Sequence, residues 1–172
     1  VASAVANGAA NAFLYQWNAA VTANTAVLNS VSFTTAGTYI VSDLVVNSFK
    51  LWFNSVNNFG TATQISNTAI VTSGSAVNFT GLTQQIAVGA TGFFWVTADI
   101  DANATGGNTI NITSTPFSNI VFASATLSGT DPMRLRKRNG YTIFFLPCPA
   151  SENLSSGALT HRFFYRAKFI IL

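Results

Sequence analysis

This sequence has little charge. Only 8 % of its 172 residues are Asp, Glu, Lys or Arg, while 49 % are hydrophobic. That is about a third of the charge of an ordinary globular domain. The polar surface must therefore come from Ser, Thr, Asn and Gln, as on many secreted β-proteins, and such surfaces adhere to copies of themselves. The one cysteine, Cys148, excludes a disulfide within the chain. It is an ordinary thiol or one half of a bridge between chains. With one His, one Cys and five acids, the usual zinc ligand set cannot be assembled in one chain. No Gly-x-Ser-x-Gly elbow occurs, and the single His161 lies far along the tail. The expectation is a chain that is not an enzyme and carries no resident cofactor. No run approaches the roughly 18 apolar residues of a spanning helix, so no membrane span is expected. Val1 stands where an initiator Met would, and no signal pattern follows. The reading is a processed chain or a piece of a longer one.

The few charges are unevenly placed. Up to Asp131, Lys50 faces Asp43, Asp99, Asp101 and Asp131, a net −3; from Pro132 onward seven bases face Glu152, a net +6. The pI therefore says little about nucleic acid.

What is present is strand pattern. In Gly92–Ile112, Phe94, Val96, Ala98 and Ile100 alternate with Phe93, Trp95, Thr97 and Asp99, which predicts a central strand covered on both faces. An acidic, glycine-rich turn follows, then a strand over Asn108–Thr113. Further strands are expected over Phe13–Val21, with Phe13, Tyr15 and Trp17 on one side, and over Val27–Thr34, Tyr39–Val41 and Phe49–Phe53. Ser42-Asp43 starts a single helical turn or a bend. A polar loop follows over Ser55–Ser66. Ala69–Thr72 and Val77–Leu82 read as a hairpin across Ser73-Gly74-Ser75. Gln85–Val88 and Asn119–Leu127 complete the set. Strands recurring about every ten residues, with turn residues between, predict an all-β, antiparallel sandwich. The expected division is an N-terminal arm 1–11, a β-sandwich domain 12–131 and a basic, strand-rich C-terminal extension 132–172.

Several groups are candidates for chemistry or binding. Asp99, Asp101 and Asn103 stand at alternate positions, as in the opening of calcium loops. The sixth and twelfth positions hold Ala104 and Ile110 instead of Gly and an acid. The competing reading is a turn whose carboxylates cap loop amides. Arg134, Arg136, Lys137 and Arg138 crowd into five positions. They suit phosphates, although such a run is more often a solvated edge or a partner to acids, and a nucleic-acid partner is not expected. Trp17, Trp52 and Trp95, with Tyr15 and Tyr39, suit a sugar-stacking platform; the commoner reading is that these rings fill the core. Phe163, Tyr165, Ala167, Phe169 and Ile171 form one face of a β-prone terminal segment that needs cover from its own sandwich or from a neighbour.

Three stretches, FLYQWNAAVTANTAVLNSVSFTTAGTYIVSDL, FKLWFNSVNNFGTATQIS and GFFWVTADIDANATGGNTINI, carry a resemblance. About residues 11–130 resemble the immunoglobulin-like repeat module found N-terminal to BNR-repeat neuraminidases and, in tandem, in bacterial secreted adhesin-like surface proteins. The resemblance implies an immunoglobulin-like sandwich, export to the cell surface or beyond, and a non-catalytic role in spacing, adhesion or assembly. It transfers no catalytic residue, and Met133–Leu172 departs from it. The expected function is a structural, adhesive subunit that self-associates, in the strongest form into a filament by terminal strand addition. The donor would be the segment ending at Ile171, with the basic cluster as a further partner-binding element. The alternative is a carbohydrate-binding accessory module of a secreted glycoside hydrolase, with surface glycans as partners.

Overall fold

The computed structural model describes residues 4–114, 119–123, 125, 127–128 and 167–171. Among them the chain is mostly strand, with three-residue 3-10 turns at Val41–Asp43 and Phe59–Thr61 and a further 3-10 residue at Asn119. The strands are β1 (Ala12–Val21), β2 (Ala26–Gly37), β3 (Phe49–Asn54), β4 (Thr63–Thr68), β5 (Ala76–Phe79), β6 (Gln84–Ile86), β7 (Thr91–Ala98), β8 (Ile110–Ser114), β9 (Ile120–Phe122), β10 (Leu127–Ser128) and β11 (Ala167–Ile171).

They form two sheets. The first runs β10-β11-β1-β7-β3-β4. The second is organised around β2, which pairs with β5, β6, β8 and β9. Val31 pairs with both Phe79 and Ile120, and Leu28 with both Gln84 and Phe122. A strand has only two edges, so β5 and β6 follow one another along one edge of β2, and β8 and β9 along the other. All pairs are antiparallel except β1–β11, which is parallel. The all-β expectation is met, and so are the antiparallel sheets.

The two sheets share one core. Trp17, Phe49, Leu51, Phe94 and Val96 come from the first, and Leu28, Val31, Phe33, Phe79 and Phe122 from the second. Trp17 stacks on Phe94 at 5.0 Å, and Phe33 meets Phe49 edge-on at 6.0 Å across the sheets. Each such side chain contributes about 1.5–3 kcal/mol on burial. Gly92 permits the close approach: a Cβ there would meet Ile86 Cδ1 at 2.7 Å and Phe53 Cε2 at 2.9 Å.

The strand boundaries differ from expectation in four places. Tyr39–Val41 is not a strand; the 3-10 turn Val41–Asp43 follows an extended Ile40, so the single turn at Ser42-Asp43 is the part that forms. The expected polar loop contains β4, whose side chains are mostly exposed or half-buried. It is an edge strand, and edge strands need little hydrophobicity. The expected hairpin at Ser73-Gly74-Ser75 is instead a crossing between sheets, since β4 lies in the first and β5 in the second. Asn119–Leu127 is likewise divided, with β9 in the second sheet and β10 in the first.

Among the described residues, the N-terminal arm and β11 both bond to the body. At the N-terminal arm, Asn7 Nδ2 donates to the Ala104 carbonyl at 2.7 Å, and Gly8 N to that of Asp101 at 3.1 Å. At the other end, β11 lies beside β1 with Trp17 opposite Ala167 and Val21 opposite Ile171.

Candidate functional site

The acidic turn is part of the fold's own bonding. Asp43, only 4 % exposed, receives Thr105 N at 2.7 Å, Asn108 Nδ2 at 2.7 Å and Ile40 N at 2.9 Å. Its own carbonyl accepts from Asp101 N at 2.9 Å. The backbone amide of Thr105, then that of Ile40 and the Asn108 side chain, hold the Asp43 carboxyl down at about 2. Donors aimed at a carboxylate favour its charged form. This residue, read in the sequence only as part of a turn, pins the 40–46 loop to the 99–108 turn.

The calcium candidates are engaged separately. Asp99 Oδ1 accepts from Asn11 N at 2.8 Å, and its other oxygen pairs with Lys50. Asp101 Oδ1 accepts from Asn103 N at 2.8 Å and lies 3.3 Å from Asn103 Nδ2. The carboxylates thus bond loop amides and a lysine. Among the described residues no three His, Cys, Asp or Glu side chains converge.

The aromatic candidates divide. Trp17 and Tyr39 belong to the core, and Tyr15 packs against it. The Tyr39 hydroxyl lies 2.9 Å from Thr35 Oγ1 and 3.0 Å from the Val71 carbonyl. Trp52 and Trp95 lie on the opposite, outward face of the first sheet. They are register partners across β3 and β7, with Gln64 beyond Trp52 on β4 and Gln16 beyond Trp95 on β1. The row reads amide, indole, indole, amide. One step along, Asn18, Phe93 and Asn54 are aligned. A step the other way, Phe13, Thr97, Lys50 and Asn67 are aligned.

Two features of this face were not legible in the sequence pattern. Phe13 was expected on the side of Trp17. A register irregularity between Phe13 and Tyr15 resets the alternation, because one extra residue in a strand flips what precedes it. Phe13 therefore points outward, 51 % exposed. The second feature is Phe59, delivered by the 3-10 turn that Asn58 caps by accepting Gly60 N at 2.9 Å. Its ring meets Phe13 and Trp52 at 5.3 Å each and Trp95 at 5.9 Å. Trp95, though 2 % exposed, is shielded by this turn rather than by the second sheet. Trp52 Nε1 donates to Thr97 Oγ1 at 2.9 Å, and Gln16 Nε2 to Asn57 Oδ1 at 2.7 Å. The alternation of Phe93, Trp95 and Thr97 already assigned those three to one face. The missing signal was the phase of Phe13.

Arg134, Arg136, Lys137, Arg138, Cys148, His161, Phe163 and Tyr165 lie outside the described residues. Ala167, Phe169 and Ile171 belong to β11, whose backbone pairs with β1 of the same chain. No described helix is long and apolar enough to cross a membrane. Comparison with protein-family models, curated proteins and solved structures finds no match.

Proposed function

We propose that this chain is a non-catalytic structural and adhesive subunit of the cell exterior, built on an immunoglobulin-like β-sandwich, that associates with copies of itself by exchanging its last strand. The observation that carries the reading is the seat of β11. It joins the free edge of β1 in parallel, and residues 129–166 separate it in sequence from β10. Main-chain bonds along a sheet edge do not depend on which copy supplies the strand. A strand that fills its own edge in one chain can fill a neighbour's in another, at little cost in new contacts. Repeated without closure, the exchange builds a filament. The weakly charged, amide-rich surface supports the same reading, and so does the resemblance to secreted adhesin-like modules.

The test removes His161–Leu172 and follows particle size by sedimentation velocity over a range of concentrations. The intact chain is expected to form larger species as concentration rises, and the shortened chain to lose them. Unchanged assembly would eliminate this segment as the exchanged element.

One observation favours a second reading, the carbohydrate-binding accessory module of a secreted hydrolase. It is the aromatic outward face of the six-stranded sheet.

A further inference from the structure

We infer that Lys50 and Asn11 join in an isopeptide bond that the chain forms on itself, with Asp99 carrying the protons. This goes beyond both readings above, because it concerns the covalent structure of the chain and depends on neither. Lys50 is the only base before Arg134, and its place is specific. It stands on β3, in register with Thr97 of β7. Its Nζ donates to Asn11 Oδ1 at 3.2 Å and lies 2.5 Å from Asp99 Oδ2. The carboxamide carbon is one C=O bond, about 1.2 Å, beyond that oxygen, so the amine sits within about 4.4 Å of the atom it attacks. Attack needs about 3–3.5 Å, and rotation within the long lysine side chain closes the gap.

The fold holds the three groups as a set. Asp99 Oδ1 accepts Asn11 N at 2.8 Å, so one carboxylate engages both reacting residues. The Ser48 hydroxyl fixes the backbone of Asp99 in turn, donating to its carbonyl at 2.9 Å and accepting its N–H at 2.8 Å. Asn11 has φ 57°, left-handed backbone that Asn adopts more readily than most residues. The side chains of Lys50 and Asp99 are only 19 % and 16 % exposed. An amide is inert to amines in bulk water. Fixed proximity and a positioned acid–base group are what make it reactive.

The step balances without an outside reactant. The Lys50 ammonium passes a proton to Asp99, and the free amine adds to Asn11 Cγ. Asp99 gives its proton to Nδ2 and takes one from the attacking nitrogen. The Nζ–Cγ bond forms, the Cγ–Nδ2 bond breaks, and ammonia leaves, carrying the last proton away as ammonium. Nothing is oxidised or reduced, and Asp99 ends as the carboxylate it began. The product ties the start of β1 to β3 across β7, which lies between them. A link of this kind restrains the unfolded chain as a disulfide does.

The experiment is mass-spectrometric peptide mapping of the full chain, folded and then denatured and cut with trypsin. The first two trypsin sites are Lys50 and Arg134. The bond blocks the first, so residues 1–134 are expected as one fragment, lighter by one ammonia, with the 1–50 peptide missing. Asn11→Gly, which tolerates the same left-handed backbone, and Lys50→Arg are each expected to restore the full mass, release the 1–50 peptide and melt below the parent. Asp99→Asn, in protein that keeps the parent's circular dichroism, is expected to lose the link. A folded parent that releases the 1–50 peptide at full mass would overturn the inference. Loss of ammonia with Lys50 still cut would overturn it too, placing the loss at a succinimide such as Asn7-Gly8 would form. Complete linkage in folded Asp99→Asn would overturn the role given to Asp99.

Discussion

Trp17 and Trp95 are almost equally hidden, at 1 % and 2 % exposure, yet they are hidden by different things. Trp17 lies between two sheets and stacks on Phe94. Trp95 lies on the outer side of one sheet, under a three-residue turn that brings Phe59 over it. Their surroundings also treat polar groups differently. The Trp17 N–H is buried without an acceptor, whereas the outward Trp52 donates to Thr97. Burial by a facing sheet can be undone only by opening the core. Burial by a surface turn can be undone locally, at much lower free energy. Relative exposure alone therefore does not separate a ring held between two sheets from one held beneath a surface turn.

The largest perturbation that sharpens this contrast is Phe94→Ala. It empties a core site beneath Trp17, and the expected loss is about 3–5 kcal/mol of unfolding free energy, read from the denaturation midpoint. Phe59→Ala removes three ring contacts from the outward cluster. Its expected cost is smaller, about 1–3 kcal/mol, with a red shift in tryptophan emission as Trp95 meets water. A cost as large as that of Phe94→Ala would mean that the outward cluster is a second core, and the contrast would break.

A third perturbation acts on neither face but on the loops at one end of the sheets. The Asp43 carboxyl titrates near 2 in the folded chain, below its ordinary 3.8. A depressed carboxyl contributes stability that is present above its unfolded value and lost as pH falls toward its folded one. Melting temperature is thus expected to fall between about pH 4 and pH 2, and Asp43→Asn should flatten that part of the profile. An unaltered acid slope in Asp43→Asn would contradict the role given to Asp43. The smallest effect is expected from Phe13→Ala, whose ring is half in water; its unfolding free energy should stay within about 0.5–1 kcal/mol of the parent.

Much of this was legible in the alternation of apolar residues. Phe94 and Val96 faced the core and Phe93, Trp95 and Thr97 faced away, as the period of two requires. Four features were not legible, each for a physical reason. The irregularity before Tyr15 changes the phase of Phe13, and no composition signal marks it. β4 is polar because only one of its edges and part of one face are covered. Asp43 looked like a turn residue, because its value lies in partners 62 and 65 positions away. The tertiary partner of β11 was equally invisible, since a parallel pair joined through a long connection leaves no local trace.

The central claim is that β11 can be supplied by another copy. Ala20 and Ile170 are register partners across β1 and β11, and partners in register lie within reach of a disulfide. A variant with Ala20→Cys is mixed with a variant with Ile170→Cys, each also carrying Cys148→Ser, and the mixture is oxidised. Strand exchange predicts a bridged dimer of one chain of each kind. A mixture that stays unbridged, while a single chain carrying both substitutions closes on itself, would contradict it.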